Sequence, residues 1–274
     1  MPTCGRGLRR GGRYVLGETR FIQAKAEGWI EPLSPADTPN LKDVNADLQK
    51  HCEGYGVAWT YSVMGLEYNP KIVPKPESWM DLWKPEYAGK IGLASPAANL
   101  GDTFLNLLAR LNGADESHID VAFQKLHDLG KFVAVPTPEA LGDALARGEL
   151  GVGIQWSDNA AVDMQSNPDL KFVLPKPGAV AIPACYSIVK GSSNVALGKE
   201  WLNNSISKDF QTAFSRAPWY FHPTNTQVSP PADAIDKSLA PTPEDTKSLV
   251  ILDQVAAVAN RETETDRFNK EFGQ

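Results

Sequence analysis

The sequence predicts an α/β fold. Short apolar runs of strand period alternate with segments of helical period from Tyr14 onward, cap and turn residues separate them, and no internal repeat or low-complexity block interrupts the pattern. At 274 residues the chain has room for two modest lobes or one large domain.

The elements follow in order. Strands are expected at Val57 to Val63 and Lys90 to Ala94. The stretch Ser95 to Asp102 reads as a loop, and Phe104, Leu107, Leu108 and Leu111 mark a helix after it. Ile119, Ala122, Phe123 and Leu126 mark another, with Gly130 as its stop. A strand at Phe132 to Val135 precedes the clearest unit. There Thr137, Pro138 and Glu139 supply an N-cap, a proline at the first helical position and an acid in the first turn, while Leu141, Ala144 and Leu145 form one apolar stripe ending before Gly148. In the next strand Leu150, Val152, Ile154 and Trp156 share one face, and Gly151 and Gly153 on the other signal a close neighbour. Trp156 stands at the carboxyl end, where open α/β sheets bind ligands, before the polar turn Ser157-Asp158-Asn159. A strand at Lys171 to Leu174 and a helix starting at Thr242-Pro243-Glu244-Asp245 complete the pattern. Proline-rich joints lie near Pro70 to Pro76, Pro175 to Pro183 and Pro230 to Pro243.

Composition narrows the function. The net charge of -6 advertises no basic face for nucleic acid or anionic lipid, so the expected partner is a small molecule. No stretch approaches the about 18 uninterrupted apolar residues of a membrane span. Cys4, Cys52 and Cys185 have no metal or redox spacing and allow at most one bridge. His51, His118, His127 and His222 are scattered, which implies no metal site, and no cofactor motif is present. Met1 to Arg13 is basic and Gly-rich with no apolar region after it, so it does not read as a signal peptide and is set apart as a leader.

The run Ser78-Trp79-Met80-Asp81-Leu82-Trp83-Lys84-Pro85-Glu86-Tyr87-Ala88-Gly89-Lys90 resembles a segment of the spermidine/putrescine-binding proteins and their relatives among the extracellular solute-binding proteins of ABC transporters. Its own physics is structural: a short helix pins Trp79 and Trp83 in the core and Lys84-Pro85 halts it. Tyr55 to Trp59, Gly65 to Asn69, Gly148 to Trp156 and Phe221 to Asn225 extend the similarity in family order.

That resemblance implies a type II periplasmic-binding fold, with two α/β lobes closing on a ligand in the cleft between them. Lobe one would comprise residues 14–61 and 184–230, lobe two residues 62–183 and 231–274, with hinges near Tyr61 to Ser62 and Pro183 to Ala184. Before Tyr14 the similarity stops, so the family's first strand-helix unit of lobe one is expected to be missing. The implied role is a periplasmic, monomeric substrate-binding component of an ABC importer that meets an inner-membrane permease, with no enzymatic activity.

The resemblance nominates site residues, each with a structural alternative. Trp156 matches a tryptophan that stacks on ligand ammonium and alkyl groups, an attraction effective within about 6 Å of the ring; the alternative is a core tryptophan. Asp158 either bonds a ligand amine or caps the following helix. Ser95 and Asp102 belong to the loop that carries ligand carboxylates in the polyamine binders, although here it is longer and less acidic. Tyr186 either bonds a ligand carboxylate, phosphonate or hydroxyl at the cleft mouth or is an inward core tyrosine. Phe221 stands where the polyamine binders carry a pocket tyrosine and forms, with Trp219 and Tyr220, either a cleft wall or ordinary lobe packing. Tyr61, at the hinge, is a further ligand-binding candidate. Ala184 occupies the position of a family aspartate, and losing that partner costs a desolvated ammonium about 3 to 5 kcal/mol. A spermidine or putrescine site is thus disfavoured, and the expected ligand is a small polar or cationic organic solute, polyamine-like, opine or amino-acid-like. The rivals are an enzyme with a discontinuous catalytic site, for which no nucleophile-elbow, P-loop or zinc motif is present, and a sensory ligand-binding module.

Overall fold

The computed structural model describes residues 13–16, 18–216, 220–229, 239, 249–250, 252 and 254–273. In chain order the elements are β1 (Arg13–Leu16), α1 (Glu18–Ala26), α2 (Ala46–Lys50), β2 (Val57–Tyr68), β3 (Ile91–Ala94), α3 (Asn99–Leu111), α4 (Asp120–Leu129), β4 (Val133–Val135), α5 (Pro138–Ala146), β5 (Val152–Trp156), α6 (Ser157–Ser166), β6 (Lys171–Val173), β7 (Val180–Ile188), α7 (Val195–Ser205), α8 (Lys208–Phe214), β8 (His222–Pro223) and α9 (Gln254–Phe272), with short 3-10 turns between them. The leader, the helix expected from Thr242, and any strand-helix unit before Tyr14 lie outside the described residues, apart from Arg13. The chain divides into two compact units, Met1–Ser62 with Ile182–Asp233 and Val63–Ala181 with Ala234–Gln274. It passes from one to the other inside β2, at Ser62 and Val63, and inside β7, at Ala181 and Ile182.

In unit one, β1 runs antiparallel to β7 with Val15 opposite Tyr186, and β8 runs antiparallel to β2 with His222 opposite Tyr61. The chain entering β2 lies so close to β7 that a Cβ on Gly56 would collide with the Tyr186 carbonyl, which explains the glycine. That approach brings Cys52 and Cys185 into a disulfide, with their Cα atoms 5.8 Å apart. Gln211 of α8 is fully enclosed and ties the unit together. Its amide donates to the carbonyls of Trp59 (2.7 Å) and Ser205 (3.2 Å), and its oxygen accepts from the Asn225 N–H (2.8 Å). Thr224 Oγ1 donates to the Ala58 carbonyl at 2.6 Å. Thr224 and Asn225 thus form a polar staple within unit one.

Unit two is built on parallel β3, β4 and β5, with Gly92 opposite both Val133 and Gly153, and on the second half of β2, antiparallel to β5 and β6. Thr137 caps α5 as its sequence predicts, accepting the Ala140 N–H at 3.2 Å. The close neighbour signalled by Gly153 is that helix: a Cβ there would strike the Leu141 side chain. The Trp79 segment forms two 3-10 turns opened by a Ser78/Asp81 capping box. Trp79 is fully buried and donates to the Gly178 carbonyl at 2.9 Å, whereas Trp83 is only half-buried, with its indole N–H on the Lys125 carbonyl at 3.0 Å. One expectation is corrected here. Asn99 to Asp102, read as loop, forms the first turn of α3, which begins without a side-chain cap at Ala98 and so carries no sequence signal for its start.

Candidate functional site

In unit two the carboxyl ends of β3 and β5 lie side by side, and α3 and α6 start within a few residues of them. Ser95 follows β3, half-buried, with its hydroxyl accepting the Ala97 N–H at 3.3 Å. A Cβ on Gly101 would collide with the Ala94 and Ser95 carbonyls, so the first turn of α3 rests directly on the strand end. Trp156 closes β5 and is half-buried rather than sealed in the core. Ser157 starts α6 and accepts the Val63 N–H at 3.2 Å, which fixes the strand-to-helix turn. Asp158 lies in the first turn of α6, half-buried, where the helix dipole favours an anion. The structure therefore gathers Ser95, Trp156 and Asp158 at one end of the parallel sheet.

Asp102 is placed differently. It is fully buried in α3 and paired at 2.5 Å with Arg261 of α9, which also reaches Asn99 Oδ1 at 2.8 Å. Burial pushes its carboxyl upward, against the pull of Arg261. Glu264, one turn along α9, is pushed up to about 8 by burial and by the Asp102 charge. Sequence spacing gives no hint of this cluster, because Arg261 is 159 residues from Asp102.

A second buried acidic group lies where β2 pairs with β5, Glu67 standing opposite Gly153. Glu67 of β2 is fully enclosed and faces Asp163 of α6 and Gln155 of β5; burial first, and the Asp163 charge second, hold its carboxyl well above the usual range. Asp163 is also raised, chiefly by burial.

The remaining candidates lie in unit one, packed on aromatic neighbours. Tyr186 stacks on Trp59 with ring centroids 4.5 Å apart, Phe221 meets Trp59 edge-on at 5.0 Å, and Trp201 of α7 meets Tyr186 edge-on at 4.5 Å. Tyr61 is buried and stacks on His222 at 5.1 Å. Burial drives the Tyr61 hydroxyl upward and the His222 imidazole down to about 4, so both are neutral at pH 7. Trp219 lies outside the described residues. Trp59 and Trp201 were not singled out from sequence. Period two along β2 carries the signal for Trp59, which shares a strand face with Tyr61. A recess of about 510 Å³ walled by Leu33, Leu41, Val44, Gln49 and Lys50 contains none of the sequence candidates.

Residues 15–248 match the model of a family described as bacterial extracellular solute-binding protein. The chain belongs to that family. It is 25% identical over 244 residues to the spermidine/putrescine-binding periplasmic protein of Escherichia coli, covering 85% of this chain and 70% of the relative. Among solved structures it resembles an ABC transporter protein from Clostridium perfringens, with a TM-score of 0.84 at 22% identity over 94% of this chain and 83% of the other. It also resembles a spermidine/putrescine ABC transporter substrate-binding protein from Streptococcus pneumoniae, with a TM-score of 0.76 at 19% identity over 94% of this chain and 84% of the other. The fold is that of the periplasmic binding proteins, as the family resemblance implied, and the protein is a solute-binding protein, not an enzyme. Among the described residues no helix is long and apolar enough to cross a membrane.

Proposed function

We propose that this protein is the substrate-binding component of a bacterial ABC importer, carrying a small polar or cationic organic solute in the periplasm to an inner-membrane permease and acting as a monomer. The observation that carries the reading is the half-buried Trp156 at the carboxyl end of β5, with Asp158 in the first turn of the helix that follows. An indole face and a carboxylate at one strand end suit a solute with an ammonium and a short apolar body. Ser95, from the neighbouring strand end, offers a hydroxyl to the same solute, and Tyr61, Tyr186 and Phe221 are proposed as further ligand-binding residues.

Ala184 supports an amino-acid-like or opine ligand over a polyamine, because the second ammonium of a polyamine would lack its buried acid. The Cys52–Cys185 disulfide supports an oxidising compartment.

The test is titration calorimetry with polyamines, amino acids, opines, aminophosphonates and organic acids, on the wild type and on Trp156→Ala. Loss of stacking and apolar burial should cost about 1 to 3 kcal/mol, or about 5- to 150-fold in Kd. An unchanged Kd in a folded Trp156→Ala variant would assign Trp156 to packing alone.

A further inference from the structure

We infer that Gln155, Glu67 and Asp163 are positioning residues for Trp156, holding its peptide and the first turns of α6 in the geometry that receives the solute. This inference rests on the proposed role of Trp156 and adds to it three residues that act through it. Gln155 is polar yet fully buried. Its side-chain oxygen accepts the peptide N–H of Trp156 at 3.1 Å, and its amide donates to the Pro138 carbonyl at 2.9 Å and to Asp163 Oδ2 at 3.3 Å. One side chain therefore ties the end of β5 to the start of α5 and the second turn of α6.

Side chains alternate across a strand, so Gln155 and Trp156 leave β5 on opposite faces and the network works from behind the indole. α5 closes over the network: a Cβ on Gly142 would collide with the Asp163 carboxyl. A leucine or methionine would fill such a core position without burying a carboxyl, whereas the polar set fixes the strand end in one orientation.

The charge balance makes this arrangement proton-dependent. The groups facing Asp163 are Glu67 from β2, Gln155 from β5, and Glu139 and Asp143 from α5, and Asp163 in turn faces Glu67. Each is acidic or neutral, so the buried Glu67 carboxyl beside half-buried Asp163 favours its protonated form. Loss of that proton places two negative charges against one another behind Trp156 and loosens the turn that presents it. Solute affinity should then fall as pH rises, for a reason separate from any ionisation of the solute.

The test compares the wild type with Glu67→Gln, which keeps a hydrogen-bonding group but cannot ionise; Asp163→Asn carries the same comparison if Glu67→Gln does not fold. The Kd of the best solute from the panel is measured at about pH 6 and about pH 9, and the ratio is compared between proteins, so that the solute's own titration cancels. The expected result is an affinity loss at high pH about threefold or more greater in the wild type than in the variant. Amide exchange of residues 157–166 without solute provides a second arm. At about pH 9 the wild type should exchange faster than the variant, and at about pH 6 the two should match. Equal pH ratios in a solute-binding pair, or equal exchange at about pH 9, overturn the inference and leave the proposed function standing. A protein that binds no solute of the panel fails the proposed function instead, and the exchange arm still reads the network.

Discussion

Removing the Cys52–Cys185 disulfide should destabilise unit one selectively. Unit one is assembled from two stretches of chain joined only through unit two, and the bridge is the second covalent link between those stretches. It closes a loop of sequence separation 133. The chain-entropy relation gives about 17 cal/mol/K for a loop of that length, or about 5 kcal/mol at 25 °C, and residual structure in the unfolded chain brings the expected loss to about 2 to 5 kcal/mol. Both cysteines are fully buried, so a Cys52→Ala, Cys185→Ala variant adds a small packing loss that reduction of the wild type does not. Urea unfolding of oxidised wild type, reduced wild type and the double variant gives the total. Amide exchange locates the loss, which should appear in residues 44–61 and 182–206 while residues 91–111 and 152–166 keep their protection. The reasoning fails if reduction costs less than about 1 kcal/mol, or if protection falls equally in both units.

Two further outcomes follow from buried polar groups. Gln211→Ala leaves the Trp59 and Ser205 carbonyls and the Asn225 N–H without their partner inside unit one, and should cost about 2 to 4 kcal/mol in denaturant unfolding; a loss below about 1 kcal/mol would mean that water replaces the side chain. Glu264, raised to about 8, favours its protonated form in the fold, so its contribution is fully present below the unfolded carboxyl's range near pH 4.5 and is lost as pH rises toward 8. Glu264→Gln should therefore flatten the stability profile over that window and gain about 1 to 3 kcal/mol at pH 8, discounted for partial solvation; parallel profiles in wild type and variant would contradict the assignment.

What sequence could reveal was set by the range of the interactions involved. α5 was legible because its cap, first-turn proline and acid are contiguous, and Trp156 was legible because strand period and the following polar turn mark a strand end. The start of α3 was not, since no capping side chain announces it. β2 runs to Tyr68, five residues beyond its expected end, because Gly65 and Glu67 weaken the strand signal while their actual partners, Phe172 and the Gln155–Asp163 pair, lie far along the chain. Asp102 looked like a loop acid for the same reason, its partner Arg261 being on the last helix. Three cysteines left the bridge open until the approach of Gly56 to β7 placed Cys52 against Cys185.

The central claim, that the protein binds a small solute at Trp156, is tested most directly by thermal unfolding of the wild type in the presence of each solute of the panel. A ligand that binds only the folded state at about 100 times its Kd stabilises it by about 2.7 kcal/mol, so one class of amine-bearing solute should raise the midpoint by several degrees, and the stabilisation should be smaller by about 1 to 2.4 kcal/mol in Trp156→Ala at the same solute concentration. No shift with any solute, or a shift that persists undiminished in Trp156→Ala, would contradict the account.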